Sequence, residues 1–126
     1  MTKIRCVIVD DEELARQLLA EYLSEYDTIE IVAECSGGRD AIKKIDQFKA
    51  DLVFLDVQMP GMDGFTFTRT LRSTRGWEDV PVVIMTSRGD DADQRAGLDA
   101  GASAYLLKSE FDQHELVETV RRLVGR

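Results

Sequence analysis

The sequence predicts a doubly wound α/β domain in which five parallel strands form one sheet and five helices cover its two faces. The chain of 126 residues has the size of one ordinary domain. Short apolar runs alternate with amphipathic segments five times, as in successive β-α units. The run Leu52–Leu55 is apolar throughout, which is typical of a parallel strand buried on both faces. We therefore expect a single domain over residues 1–126.

The first half of the chain contains two β-α units. Ile4–Val9 is rich in β-branched residues and predicts the first strand, and Ile29–Ala33 predicts the second. Leucines at helical spacing predict a helix over Glu12–Tyr26, where acids in the first turn suit the helix dipole. Gly37 and Gly38 interrupt the chain before the next helix. That helix is marked by apolar residues at helical spacing: Ala41, Ile42, Ile45 and Phe48.

The segment Phe65–Leu71 is compatible with two structures. Its alternation of Phe and Thr resembles a strand, whereas Phe67 and Leu71 stand four residues apart, as on one face of a helix. Because strands and helices alternate elsewhere in the chain and the residues that follow are polar, we interpret this segment as the third helix.

Two more β-α units complete the pattern. Val80–Met85 predicts the fourth strand, with Pro81 at its start, where a missing N–H group is tolerated. Asp90–Ala100 predicts a helix with acids in its first turn, and Ala104–Leu107 predicts the fifth strand. The residues from Asp112 onward predict a capping box that opens the last helix.

Composition narrows the functional classes. A net charge of -8 argues against direct binding to nucleic acid, because contacts to phosphates need surplus Lys and Arg. A protein partner or a metal ion is the better expectation.

No apolar run approaches the ~20 residues that span a bilayer, and the N-terminal apolar segment is too short for a signal peptide, so we expect a cytoplasmic protein without membrane contact. Cys6 and Cys35 lack metal-ligand spacing and predict reduced, buried thiols.

Polar or charged side chains that could take part in chemistry follow the first, third, fourth and fifth predicted strands. The carboxyl ends of parallel strands meet at one edge of the sheet, where open α/β sheets bind their ligands, so these side chains should converge. They are Asp10 and Asp11 after the first strand, Asp56 after the third, Thr86 and Ser87 after the fourth, and Lys108 after the fifth.

This set of residues suits phosphoryl transfer. Three carboxylates at one edge repel one another, and a hard cation such as Mg²⁺ would hold them together. Lys108 and the hydroxyl group of Thr86 could hold an anion beside the metal, and phosphoryl transfer depends mainly on such positioning and charge neutralisation. A carboxylate can itself be the nucleophile, and Asp56, alone on the middle strand, is the candidate for an aspartyl phosphate.

The same residues resemble the signature of response-regulator receiver domains, the CheY-like family of two-component signalling. The resemblance spans the chain and includes Asp10-Asp11, Asp56 with the loop that ends in Met-Pro-Gly-Met-Asp-Gly, Thr86, Tyr105 and Lys108. It implies a flavodoxin-like, CheY-like sheet in the strand order 2-1-3-4-5. It also implies that a histidine kinase or a phosphotransfer protein donates a phosphoryl group to Asp56.

The resemblance implies a role for each site residue as well. Asp11, Asp56 and the main-chain carbonyl group of Gln58 would bind Mg²⁺, and Asp10 would act mainly through water. The chain would then be a phosphoacceptor and not a general enzyme, since its only reactions would be its own phosphorylation and dephosphorylation at Asp56.

Signal output is also implied by the resemblance. Thr86 and Lys108 would contact the phosphoryl oxygens, and Tyr105 would change rotamer together with Thr86 after phosphorylation. An output partner, which the sequence does not identify, would bind the face formed by the fourth helix, the fifth strand and the last helix.

Some positions depart from the family pattern. Ser109 follows Lys108, where the family usually has proline. We predict a trans Lys108–Ser109 bond, because a cis bond without proline costs ~3 kcal/mol, and we expect Lys108 still to point at Asp56. Gln58 and Arg88 occupy variable positions from which no phosphoryl lifetime follows.

The resemblance has two parts. Through about Gly64 the chain resembles receivers fused to LytTR-type DNA-binding domains. From Arg75 onward, and especially over Leu107–Gln113, it resembles receivers at the end of chemotaxis-type hybrid histidine kinases. An excised or chimeric receiver would have this pattern.

Three other functions compete with the phosphoacceptor reading. A phosphatase of the aspartyl-phosphate type would usually need a second acid where this chain has Gln58. A flavodoxin-like carrier would need a phosphate-binding loop after the first strand, but the acids from Asp10 to Glu13 repel phosphate. A phosphate sink or a passive interaction module would have no output of its own. A degenerate receiver used only as an interaction module would lack one of the acids or Lys108, and none of these is missing, so the phosphate sink is the main alternative.

Overall fold

The computed structural model describes residues 3–59, 61–87, 90–109 and 112–124. Its strands are β1 (Ile4–Val9), β2 (Ile29–Cys35), β3 (Leu52–Leu55), β4 (Val82–Thr86) and β5 (Ala104–Leu107). Its helices are α1 (Glu13–Ser24), α2 (Gly38–Phe48), α3 (Gly64–Arg72), α4 (Asp91–Asp99) and α5 (Gln113–Val124). The predicted α/β class, with strands and helices in strict alternation, is confirmed. Pro60, Arg88 and the residues directly after Ser109 lie outside the described ranges.

The five strands form one sheet in the order β2-β1-β3-β4-β5, and each neighbouring pair is parallel. This is the predicted order. β2 lies on one side of β1, and β3, β4 and β5 follow in order on the other side. The order of the strands therefore reverses between β1 and β3, and the carboxyl ends of these two strands border a crevice. The β1–β2 pairing shifts register between Cys6 and Val7, whereas Val9 and Leu55 at the ends of β1 and β3 remain paired.

The core has two layers, one on each face of the sheet. On β3, Val53 and Leu55 face one layer and Leu52 and Phe54 face the other, and all four are at most 1% exposed. The first layer includes buried residues of α2 and α3, and the second includes buried residues of α1 and α5. Each large apolar side chain that is buried in this way contributes roughly 1.5–3 kcal/mol to folding. β3 is therefore a fully buried central strand, and Asp56 follows directly at its carboxyl end.

Phe65–Leu71 is helical, as we interpreted it, and lies within α3. Phe67 and Leu71 are both fully buried in one core layer, which explains their spacing of four. The helix begins earlier than predicted because Asp63 caps it: its Oδ1 accepts a hydrogen bond from the backbone N–H of Thr66 at 2.8 Å. Burial of the helical face thus decides against the strand that the Phe-Thr alternation suggests.

The predicted boundaries of β2 and β4 were each displaced by two residues. β2 continues to Cys35, whose carbonyl group accepts a hydrogen bond from Asp10 N at 3.0 Å. β4 begins at Val82 and not at Val80, although the carbonyl group of Pro81 still accepts from Val53 N at 3.0 Å. Proline has no N–H group to donate to the sheet, so regular pairing begins after it.

Cys6 and Cys35 are buried free thiols, as predicted. Burial is the main reason that the pKa of each thiol rises to about 12, and the nearby carboxylates of Asp51 for Cys6 and Asp40 for Cys35 raise it further. Both therefore stay protonated and act as small apolar groups in the core.

Within the described ranges, none of the helices combines the length and the apolar character that crossing a bilayer requires. The cytoplasmic location expected from the sequence stays a prediction.

Candidate functional site

The three predicted acids converge at the carboxyl edge of the sheet. One carboxylate oxygen from each of Asp10, Asp11 and Asp56 lies within 4.8 Å of the others. Asp10 and Asp56 are each only 5% exposed, whereas Asp11 is exposed. The sheet therefore holds two buried carboxylates and one exposed carboxylate in a single cluster, as the strand-end pattern predicted.

Asp56 is held by backbone groups on both sides. Its N–H donates to the carbonyl group of Val9 at 2.9 Å, which fixes it beside the end of β1. Its Oδ1 accepts a hydrogen bond from Val57 N at 2.8 Å. These contacts leave Oδ2 on the side that faces Lys108, at 3.6 Å from Nζ.

Gly64 allows the next helix to start close to Asp56. A Cβ atom at this position would lie 2.6 Å from the carbonyl oxygen of Asp56 and 2.8 Å from Cα of Val57, distances that real Cβ atoms do not adopt. The N–H of Gly64 instead donates to the carbonyl group of Val57 at 2.8 Å. The glycine therefore lets the loop after Asp56 close tightly, a role that the sequence analysis did not identify.

Asp10 makes the shorter of the two ion pairs that Lys108 forms with the described acids of the site. Its Oδ2 accepts from Nζ of Lys108 at 2.7 Å, and its Oδ1 accepts from the backbone N–H of Glu12 at 2.9 Å. The resemblance implied that Lys108 would reach Asp56 and a phosphoryl group, yet its nearest partner here is Asp10. Lys108 thus sits between the two buried acids and compensates the charge of both.

The backbone before Lys108 aims this side chain. Its N–H donates to the carbonyl group of Thr86 at 2.9 Å, which ties the end of β5 to the end of β4. No peptide bond among the described residues is cis, so the bond between Lys108 and Ser109 is trans, as predicted. The lysine reaches the site without the proline of the family pattern because β5 sets its direction.

Thr86 and Tyr105 occupy neighbouring strands next to the acids. Thr86 is fully buried at the end of β4, and its hydroxyl group forms a hydrogen bond with the carboxylate of Asp56. Tyr105 on β5 is half-buried, and its ring lies over Gly97 of α4. A Cβ atom on Gly97 would lie 2.8 Å from Cδ2 of the Tyr105 ring, so only a glycine accommodates this ring position without movement. Ser87, the other predicted hydroxyl, is exposed.

Burial raises the pKa of Asp56 above its ordinary value, and the positive charge of Lys108 opposes this effect without cancelling it. The nearby charge of Asp10 adds to the increase, while the hydrogen bonds from Thr86 and Val57 reduce it. Burial alone would lower the pKa of Lys108, but its hydrogen bond to Asp10 and the charges of the surrounding acids raise it overall. Asp56 is therefore more basic than an ordinary aspartate, and Lys108 stays charged.

The acids present fit a Mg²⁺ ion. Oxygen ligands from few protein groups, with water completing the shell, are what Mg²⁺ takes in proteins. Asp11 is suited to such a role because its exposed carboxylate accepts no hydrogen bond from the residues that the structure describes, so its oxygens are available. Gln58 follows two residues after Asp56 in an exposed position, and the role of its carbonyl group stays a prediction.

Comparisons with known proteins identify the family. The family model described as the response regulator receiver domain matches residues 6–121. The transcriptional regulatory protein TcrA of Mycobacterium tuberculosis is 41% identical over 124 residues, which cover 98% of this chain and 47% of that protein. The chain spans less than half the length of the first curated relatives that it matches.

Solved structures agree with this result. The signal receiver domain of NarL from Mycobacterium tuberculosis is 29% identical, with a TM-score of 0.88 and full coverage of both chains. The chemotaxis protein CheY4 of Vibrio cholerae is 26% identical, with a TM-score of 0.84, over 97% of this chain and 99% of that chain. The division of the resemblance between LytTR-type regulators and hybrid kinases stays a prediction. The matched residues include the whole acidic site and every strand end around it, and the chain therefore belongs to the response regulator receiver domain family of two-component signalling.

Proposed function

We propose that this chain is a phosphoacceptor that takes a phosphoryl group from a histidine kinase or a phosphotransfer protein onto Asp56. The observation that carries the proposal is the setting of the Asp56 carboxylate: it is buried at the end of β3, beside two acids, a lysine and a hydroxyl group. A nucleophilic carboxylate, a cation for the transferred oxygens and oxygen ligands for Mg²⁺ are the parts that phosphoryl transfer to an aspartate needs.

In the proposed reaction, a carboxylate oxygen of Asp56 attacks the phosphorus atom of a phosphohistidine. A P–O bond forms as the P–N bond breaks, and the imidazole nitrogen leaves with the bonding electron pair. Lys108, whose Nζ is 3.6 Å from Oδ2 of Asp56, neutralises negative charge on the transferred oxygens. Mg²⁺, when bound by Asp11 and Asp56, supplies further positive charge beside the incoming group.

The pKa of Asp56 bears on the rate of this step. Only the deprotonated carboxylate is a nucleophile, and burial holds its pKa above the ordinary value. The raised pKa makes the carboxylate a better nucleophile when it is charged. Bound Mg²⁺ would lower this pKa again, because its positive charge favours the charged carboxylate.

Thr86 and Tyr105 are the proposed reporters of phosphorylation. Thr86 already bonds the carboxylate of Asp56, so a phosphoryl group there offers its hydroxyl new oxygens. Movement of Thr86 would open space toward β5, and Tyr105 would then move from its place over Gly97. The partner-binding face formed by α4, β5 and α5 would thereby change shape.

A phosphodonor protein must reach Asp56 from the edge of the sheet. Helix α1 borders this edge, and its Leu14 and Leu18 are 78% and 50% exposed. Leu14 and Leu18 stand four residues apart and are therefore neighbours on one face of α1, and a contiguous exposed apolar patch is a common feature of surfaces that bind other proteins. We include this part of α1 in the surface that meets the donor.

The test is incubation with acetyl phosphate and Mg²⁺, followed by intact mass spectrometry. We expect a mass increase of one phosphoryl group that is absent in Asp56→Asn. Asp63→Asn is the matched control, since this carboxylate lies in the same loop and asparagine can still cap α3. Phosphorylation that persists in Asp56→Asn would contradict the assignment.

A second measurement separates a switch from a phosphate sink. Beryllofluoride mimics a phosphoryl group on an aspartate without transferring one. We expect it to change the amide NMR signals of Tyr105 and its neighbours in the presence of Mg²⁺. If only signals around Asp56 change, the chain stores a phosphoryl group without output.

A further inference from the structure

Arg16 is a charged residue in an unexpected position. It lies in the first turn of α1, where its N–H donates to the carbonyl group of Glu12 at 3.1 Å. A positive charge near the amino end of a helix is opposed by the helix dipole. The side chain is nevertheless only 17% exposed, so specific contacts hold it there.

These contacts are directed at the acidic site. Nη1 of Arg16 donates to the main-chain carbonyl group of Asp10 at 2.6 Å. Nε lies 3.7 Å from Oε1 of Glu34 on β2, which holds the other side of the guanidinium group. The arginine therefore joins the start of α1, the end of β1 and the edge strand β2 at one point.

The carbonyl group of Asp10 belongs to the peptide unit that connects Asp10 with Asp11. A peptide unit is planar, so fixing its oxygen also fixes the direction in which Asp11 leaves β1. The carboxylate of Asp10 has its own partners, Lys108 and the N–H of Glu12. Asp11 accepts no hydrogen bond from the described residues, so its placement depends on the backbone before it.

We infer that Arg16 is a positioning residue for the metal-binding acids, with Glu34 as the residue that orients it. Arg16 keeps the Asp10–Asp11 peptide unit in the orientation that directs the Asp11 carboxylate toward Asp56. It touches neither the phosphoryl group nor the ion. This inference rests on the proposed function and extends it by one residue that sequence inspection did not identify.

The chain offers a matched control at the opposite end of the sheet. Arg5, at the start of β1, donates through Nε to the carbonyl group of Phe48 at 2.8 Å and lies 3.7 Å from Oε2 of Glu30 on β2. The two arginines thus make the same kinds of contact, one to a carbonyl group and one to a glutamate. Arg5→Met removes a comparable set of interactions far from the acids.

The experiment measures Mg²⁺ affinity without a phosphodonor, by titration of the backbone amide NMR signal of Val57, whose N–H bonds Asp56. Loss of a residue that orients metal ligands typically weakens binding by 10-fold or more, so we expect Arg16→Met to raise the Kd for Mg²⁺ about tenfold. Arg16→Lys, which retains a donor and the charge, should fall between Arg16→Met and the unsubstituted protein. Arg5→Met should stay within about twofold, as distant substitutions are independent.

Phosphorylation by acetyl phosphate gives a second readout. In Arg16→Met the Mg²⁺ concentration for half-maximal rate should rise with the Kd, whereas the rate at saturating Mg²⁺ should stay within about twofold of the original. A general loss of stability would lower the saturated rate in both arginine variants. If Arg16→Met does not fold, Glu34→Gln tests the same link, and we expect a smaller increase in Kd.

Two results would overturn the inference while leaving the proposed function in place. The first is a folded Arg16→Met, or Glu34→Gln in its place, with unchanged Mg²⁺ affinity while the unsubstituted protein binds Mg²⁺ and is phosphorylated; the proposed function would then stand without this positioning role. The second is an equal loss of affinity in Arg5→Met. If the unsubstituted protein neither binds Mg²⁺ nor accepts a phosphoryl group, the proposed function fails and the inference fails with it.

Discussion

Replacing Lys108 with methionine removes the cation of the site while keeping a side chain of similar length. Nζ of Lys108 lies 2.7 Å from Asp10 and 3.6 Å from Asp56, and the side chains of these acids are 8% and 6% exposed. The substitution leaves two buried carboxylates without their shared positive charge. We expect a large loss of stability in the absence of Mg²⁺.

The size of the loss follows from the geometry. At 2.7 Å, and with an effective dielectric constant of about 20, the attraction to Asp10 is ~6 kcal/mol before the cost of removing both charges from water. Breaking a fully buried pair by removing one partner costs ~3–5 kcal/mol. Lys108 is 27% exposed, and water screens part of the interaction, so we expect about 2–4 kcal/mol.

Protonation of one carboxyl group sets an upper limit on this loss of stability. The site can relieve its repulsion by binding one proton, which at pH 7 costs at most ~4 kcal/mol for a carboxyl group with an unfolded pKa of about 3.9. The destabilisation should not exceed this value while one proton suffices. The loss expected from the broken ion pairs and the limit set by protonation are both a large share of the ~5–15 kcal/mol that stabilises an ordinary domain.

The pH dependence follows from the sign of the change in pKa. Burial already raises the folded pKa of Asp56, and loss of Lys108 removes the main effect that lowers it, so this pKa rises further. A raised folded pKa favours the folded state below the unfolded pKa, and this advantage is lost as the pH rises through the folded pKa. The variant should therefore lose more stability, relative to the unsubstituted protein, at pH 8 than at pH 5.

The assay is urea unfolding followed by the fluorescence of Trp77, which lies far from the site beside Lys49 and Asp46. Arg121→Met is the control, because its pair with Glu118 is more than half exposed on both sides and should contribute less than ~1 kcal/mol. Added Mg²⁺ should restore more stability to the Lys108 variant than to the unsubstituted protein, since the ion supplies the missing charge. A loss no larger than that of the control, or one that is equal at pH 5 and pH 8, would refute this reasoning.

The remaining predictions concern Asp56 and the two glycines in close contact. Asp56→Asn should raise the urea midpoint at pH 7, because it removes a buried, charged carboxyl group whose pKa is raised in the folded state. The increase in the midpoint should become smaller as the pH falls toward 4, where the carboxyl group is protonated. An unchanged midpoint at both pH values would contradict this prediction. Gly64→Ala should cost about 1–3 kcal/mol, because its Cβ would overlap backbone atoms of Asp56, which cannot move aside without distorting β3; unfolding by urea measures it. Gly97→Ala should reduce the free energy of unfolding by less than Gly64→Ala, since Ala favours a helix by about 1 kcal/mol over Gly and the Tyr105 ring can rotate away from the new methyl group. The NMR signals of the Tyr105 ring should therefore change in this variant, and unchanged signals would contradict the prediction.

The sequence was sufficient to predict the class of the fold because that prediction depends on local repetition. The four apolar residues of Leu52–Leu55 need burial on both sides, and a central strand of a parallel sheet that helices cover on both faces provides it. The same reasoning located Asp10, Asp56 and Lys108 at strand ends, and parallel strands bring such ends to one edge. Even the ambiguous segment Phe65–Leu71 could be interpreted from its place in the alternation.

The tertiary structure decides the distances between groups that are far apart in the chain. Lys108 and Asp10 are separated by 98 residues, and whether the lysine bonds Asp10 or Asp56 depends on the relative placement of three strands to within about 1 Å. In the sequence Arg16 is one polar residue of a predicted amphipathic helix, and only the folded chain brings its guanidinium group to the Asp10 carbonyl group. Backbone periodicity is a local property that a sequence expresses directly, whereas hydrogen bonds and close packing depend on where the folded chain brings its distant parts together.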